Sequence, residues 1–224
     1  MSRSLGWVRL VADSSRLGWK STRGRPERGL RDAFDKPFGF STLPDRVCSV
    51  ARPTLLVYCG LPGVGKSMAS GYTADRLPAT RYRSDEIRKA LFPDPTYSSA
   101  ESDATYAELL ERAREDLETG SDVVLDATFR TTARREQAAV AAREADADVR
   151  FVRVTCELEV VEDRLAERTN SISDAEFEQH LLLRDSFESI DRDHVVVDNS
   201  GTIEETRAQL DRLVLSAPRE QSTR

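Results

Sequence analysis

Thr54-Leu55-Leu56-Val57-Tyr58-Cys59 runs directly into Gly60-Leu61-Pro62-Gly63-Val64-Gly65-Lys66-Ser67. The first stretch is apolar without alternation, as in a strand covered on both faces of a parallel sheet. The second satisfies G-x-x-x-x-G-K-[ST] in full, and a helical pattern leaves it from Lys66 to Leu77, ending near Pro78. Strand, glycine loop and helix in that order form a phosphate cradle. Glycines let bare backbone approach an anion, successive N–H groups point inward, and the helix N-terminus faces the charge. Lys66 supplies a mobile cation for the β- and γ-phosphates, and Ser67 a hydroxyl for Mg²⁺. The motif assigns nucleotide contact to Gly60, Leu61, Pro62, Gly63, Val64, Gly65, Lys66, Ser67 and Met68. The cofactors read from it are ATP and Mg²⁺.

Working outward, the pattern alternates strand and helix. Strands are expected at Thr80–Arg83, Asp122–Asp126, Val149–Cys156 and His194–Asp198. Ser84 is expected to cap a helix over Asp85–Leu91. Ser98 or Ser99 starts a helix with apolar Tyr106, Leu109, Leu110, Ala113 and Leu117, stopped at Gly120. An alanine-rich helix begins at Thr131 or Thr132. Leu158, Val161 and Leu165 mark the inner stripe of the next. Ser173 and Glu176 form a capping box for a helix reaching Ile190, and a last helix covers Ile203–Leu215. Such alternation implies βαβ units. The fold expected is a three-layer α/β P-loop NTPase, nucleotide-kinase-like, with a mostly parallel five-stranded sheet.

Composition bounds the rest. The chain has 224 residues, is 39% hydrophobic and carries a net charge of −6. No apolar run approaches the ~18 residues of a membrane span. No early stretch resembles a secretory leader. Cys48, Cys59 and Cys156 lack metal or disulfide spacing, and His180 and His194 are read as structural. A cytoplasmic protein, monomer or dimer, is expected. Residues 1–50 hold ten basic and five acidic residues and no sustained periodicity. They read as a basic, disordered extension, 51–217 as the P-loop kinase domain, and 218–224 as a flexible tail.

Acceptor chemistry comes from three further places. Asp85 follows the second strand at the carboxyl edge of the sheet, where it can take a proton from an attacking hydroxyl. Arg88 lies one turn on and can hold an anionic acceptor. The same residues also suit a plain helix start. Asp126 ends the apolar Val123-Val124-Leu125 run, the place of a carboxylate that orients Mg²⁺. Arg164 and Arg168 precede the polar stretch Thr169–Ser173, where a lid can bring positive charge to the transferring phosphoryl group.

Taken together, GLPGVGKS, RSDEIRKALF, VVLDATF and RLAERTNS resemble the P-loop kinases related to bacteriophage polynucleotide 5′-kinase and to zeta toxins, many of them catalogued as AAA-family ATP-binding proteins. The resemblance covers about residues 53–215. It implies Asp85 as general base, Arg88 as acceptor contact, Asp126 near the metal, and Arg164 with Arg168 on the lid. The function expected is transfer of the ATP γ-phosphate to a hydroxyl. A small molecule fits the acidic domain better than a polynucleotide, which favours a basic stripe. The alternative is an NTP-binding switch that acts through protein partners and has no acceptor. Asp85 with Arg88 favours the kinase, because a switch needs no acceptor-side base. Deletion of residues 1–50 is expected to leave the melting temperature and ATP binding unchanged, as that stretch offers no periodic apolar face. A large fall in melting temperature in a thermal scan would refute this.

Overall fold

The computed structural model describes residues 52–168 and 173–216. The expectations for residues 1–50, for 218–224 and for the polar stretch after Arg168 fall outside them, as do the side chains of Arg168 and of the Ser173/Glu176 capping box. Five strands, β1 (Thr54–Cys59), β2 (Thr80–Arg83), β3 (Val123–Asp126), β4 (Asp148–Thr155) and β5 (His194–Asp198), form one sheet in the order β2-β3-β1-β4-β5. Every pairing is parallel, so the expected mostly parallel sheet is wholly parallel.

β1 lies in the middle, and all six of its residues are buried. That is why its sequence does not alternate: both faces are covered. Leu55, Val57 and Cys59 face α3 (Ser99–Glu118) and α4 (Thr132–Glu144), through Leu109, Ala113, Leu117, Ala138 and Ala142. Leu56 and Tyr58 face α1 (Lys66–Arg76), α5 (Leu158–Arg168) and α7 (Ile203–Leu210), through Ala69, Ala74, Val161, Leu165 and Leu210. The result is three layers. Alanines on α4 let that helix lie close to the sheet. Tyr58 has a phenol inside this core, and it meets the Thr73 hydroxyl at 2.5 Å. Burial pushes the Tyr58 pKa up.

Helix starts follow the sequence in three places. Ser98 accepts from the Glu101 amide, Thr131 from the Arg134 amide, and Thr202 forms a full capping box with Glu205. Three details differ from expectation. Ser84 is the first residue of α2 (Ser84–Leu91), not its cap; Arg83 holds that position and makes no side-chain cap bond. Leu158 opens α5 but is 36% exposed, because the inner stripe begins one turn later at Val161. α6 (Ser173–Asp185) stops five residues before Ile190, and the chain from Ser186 to Ile190 docks on α4 instead.

Arg135 fixes that docking. It is 2% exposed, and its guanidinium donates to the carbonyls of Phe129 at 2.8 Å and Ser189 at 2.5 Å. One buried cation therefore ties the loop after β3 to the segment before β5. The last helix continues into a π-helical turn, Asp211–Leu215. Arg135→Leu strands the buried Phe129 carbonyl and unties the Ser189 carbonyl, and should cost about 3 kcal/mol of stability, or roughly 6–12 °C in melting temperature, measured by calorimetry.

Candidate functional site

The sheet register assembles the site. Asp126 lies opposite Tyr58 of β1 and Arg83 of β2, so three strand ends meet at the carboxyl edge, beside the loop that leaves β1. Gly63 and Gly65 hold φ of 83° and 91°. Gly65 is also the residue before α1 and provides no side-chain cap. The first amides of α1 therefore remain available to an anion.

Carbonyls that the loop buries each need a partner. The Pro62 carbonyl is 2.7 Å from Nδ1 of His180, on α6. The Val64 carbonyl accepts from Asn199 Nδ2 at 2.8 Å. The Leu61 carbonyl accepts from Lys66 Nζ at 2.8 Å. The Gly60 amide donates to the Thr128 carbonyl at 3.1 Å. Asn199 is 3% exposed and is itself held by the Thr206 hydroxyl at 2.8 Å. A Cβ on Gly65 would stand 2.0 Å from Asn199 Nδ2. Glycine is thus required there by φ and by the close approach of the asparagine.

Lys66 sits among buried groups. Burial pushes its ammonium pKa down from the ordinary lysine value, while the Asp126 and Asp85 carboxylates push back. Asp85 is exposed on the first turn of α2, and its charge reaches the phosphate-loop lysine across the edge of the sheet. Arg88, one turn on, is only 9% exposed. Its Nη2 donates to the Ser102 hydroxyl at 3.3 Å, and its guanidinium lies 5.0 Å from the Tyr97 ring centroid. Its Nη1 makes no hydrogen bond but lies 3.8 Å from the Glu101 carboxylate.

Asp126 is 5% exposed and accepts from the Ser70 hydroxyl at 3.1 Å. Arg83 bridges the two residues read as metal-associated: Nη2 is 3.4 Å from Ser67 Oγ, and Nε is 3.6 Å from Asp126 Oδ2. That Nε is buried and has no hydrogen-bond partner. The hydroxyl and carboxylate already share one cationic group, so this donor set suits a divalent cation bound between them. The Met68 amide donates to the Gly65 carbonyl at 3.1 Å, inside the first turn of α1.

Arg164 is placed differently from the lid position expected. Nη1 donates to the Asn199 carbonyl at 2.8 Å and Nη2 to the Gly201 carbonyl at 3.4 Å. The guanidinium braces the loop after β5. Asn199, His180, Arg81 and Arg83 were not singled out as site residues by the sequence. Arg81 and Arg83 alternate on a strand that ends at the site, and Arg81 Nη1 donates to the Ser67 carbonyl at 2.8 Å.

A family model described as an AAA domain, AAA_33, matches residues 55–190. The chain belongs to this AAA domain family. No curated protein matches it. Among solved structures, it is similar to the APS kinase CysC of Mycobacterium tuberculosis in complex with AMPPNP and APS. That match has 20% identity and a TM-score of 0.61, over 74% of this chain and 99% of that one. A gluconokinase from Sinorhizobium meliloti gives 21% identity and a TM-score of 0.54, over 73% and 95%. A sugar kinase from Janibacter sp. HTCC2649 gives 15% and 0.58, over 74% and 96%. These likenesses show the P-loop kinase fold. They do not single out the polynucleotide-kinase and zeta-toxin branch.

Asn199→Ala leaves the Val64 carbonyl without its buried donor and frees the loop. The affinity for Mg·ATP should fall about tenfold, or ~1–2 kcal/mol, in a calorimetric titration.

Proposed function

We propose that the chain is an ATP- and Mg²⁺-dependent kinase that transfers the γ-phosphate to a hydroxyl of a small-molecule acceptor. The observation that carries this reading is Asp85. An exposed carboxylate at the start of α2 stands two residues after Arg83, which pairs in register with Asp126 at the carboxyl edge, and a buried arginine follows it by one turn. A nucleotide switch has no use for a base at that place. The kinases among the structural neighbours, an APS kinase and a gluconokinase, support a small acceptor.

In this reading the amides of Gly63 to Ser67 and the ammonium of Lys66 bind the β- and γ-phosphates. Ser67 and Asp126 would hold Mg²⁺, which would neutralise charge on the phosphates. Arg83, whose Nη1 donates to Glu86 at 2.7 Å, adds positive charge beside these two residues. Asp85 accepts the acceptor's hydroxyl proton as that oxygen attacks the γ-phosphorus and the bond to the β-phosphate oxygen breaks. Arg88 holds the acceptor from the side of α2. Arg168, at the end of α5, is the lid arginine, while Arg164 fixes the loop against which α5 packs. The kinase domain of this reading spans 51–217.

Lys66→Ala should abolish turnover by removing the cation that follows charge onto the leaving phosphate. Asp85→Asn keeps size and helix position but removes the basic lone pair. Transfer of labelled γ-phosphate should drop by roughly 10²–10⁴, nearer the lower end because the transition state is loose, while ATP affinity stays within about twofold. Wild-type transfer by Asp85→Asn would reduce Asp85 to a helix-start residue.

A further inference from the structure

The phosphate loop has a second wall, built by α6 and the end of β4. Between them lies a cleft of about 320 Å³, bordered by Leu61, Thr155, His180, Arg153, Arg184 and Phe187. Leu61 is the residue whose carbonyl receives Lys66 Nζ, so the cleft adjoins the end of the loop at which a terminal phosphate is gripped. Arg153 pairs in register with Cys59, the last residue of β1, which puts it one strand spacing, about 4.8 Å, from the start of the loop.

Two arginines face this cleft in a chain whose net charge is −6. Among the described residues, the Arg153 side chain makes no hydrogen bond or ion pair; its guanidinium lies over the Phe187 ring, 5.2 Å from the centroid. Arg184 has only its chain neighbour Asp185 within range, at 3.8 Å, with both side chains more than half exposed. Pairs that exposed contribute little. Most other arginines close by are engaged: Arg130 with the Ser186 hydroxyl, Arg135 with backbone carbonyls and Arg192 with Glu136. Among the described residues, the cleft therefore concentrates positive charge that only the exposed Asp185 partly balances.

We propose that this cleft binds an anionic group of the acceptor, a carboxylate or a phosphate ester on a small polyhydroxy molecule, with Arg153 and Arg184 as its recognition residues. The proposal rests on the kinase reading and deepens it. Its size suits such a ligand: the volume stands at the lower end of the roughly 300–1,000 Å³ common for small-molecule pockets, enough for a sugar acid. The cleft shares Gly60, Leu61 and Val64 with the phosphate loop, so an anion held there lies beside the loop that grips the nucleotide. A neutral polyol would leave both guanidiniums unpaired in the bound state, so anionic acceptors are selected.

The test is calorimetry on the full chain saturated with Mg·AMPPNP, so that anion binding at the phosphate loop is already satisfied. Gluconate, glycerol 3-phosphate and neutral glucitol are titrated in turn. At least one anion should bind, with glucitol at least tenfold weaker, and the preferred anion tells carboxylate from phosphate ester. Arg153→Gln and Arg184→Gln should each weaken that anion tenfold or more and leave AMPPNP affinity unchanged. Glucitol binding as well as the anions, failure of both anions to bind AMPPNP-loaded protein, or wild-type anion affinity in both variants would overturn the proposal. Failure of AMPPNP itself to bind would instead bring down the nucleotide reading, and this one with it.

Discussion

The hydrogen bond from Asn199 to the Val64 carbonyl is the constraint on which the site depends. A loop that offers its amides to an anion must turn its carbonyls away, and buried carbonyls without donors are costly. Here the donors come from distant parts of the chain. Asn199 follows the last strand, and His180 comes from α6. Lys66 meets the Leu61 carbonyl from within the loop, and the Thr128 carbonyl anchors the Gly60 amide. The cradle is therefore a product of the complete sheet. A fragment carrying only the motif would have glycines and a lysine and no reason to hold them in this shape.

The parallel register does the same for the charged groups. It brings Asp126 beside the ends of β1 and β2, and α2 starts where β2 stops. Asp126 and Arg83 converge because their strands end at one level, and α1 and α2, which start at that edge, bring Lys66, Ser67 and Asp85 to it. The remaining helices mostly cover the sheet. Arg135 illustrates the covering role: one guanidinium secures the loop after β3 and the segment before β5, both of which border the carboxyl edge.

Much of this was legible in the sequence. Thr54–Ser67 announced strand, loop and helix, and the absence of alternation in β1 correctly implied a sheet covered on both faces. Asp126 was readable because an acid closing an apolar run stands out. Asn199, His180 and Arg83 were not readable. Each acts through one contact across a long stretch of chain, and such contacts leave no periodic trace. Arg164 shows how a sequence position leaves a side chain's partners open. Its place before a polar stretch suggested a phosphate-facing role, but backbone carbonyls of the loop after β5 claimed its donors first. The end of α6 was overestimated for a related reason: Phe187 and Ile190 continue an apolar pattern, yet they pack as extended chain against the α3–α4 layer.

Cys59, the residue immediately before the phosphate loop, is wholly buried on the central strand. Burial pushes its thiol pKa up to about 12, against the pull of the nearby Arg135, Lys66 and Arg153 cations. Oxidants and alkylating reagents attack the thiolate, and almost none exists at neutral pH. Sulfur thus abuts the phosphate loop in the buried, protonated form that oxidants attack least.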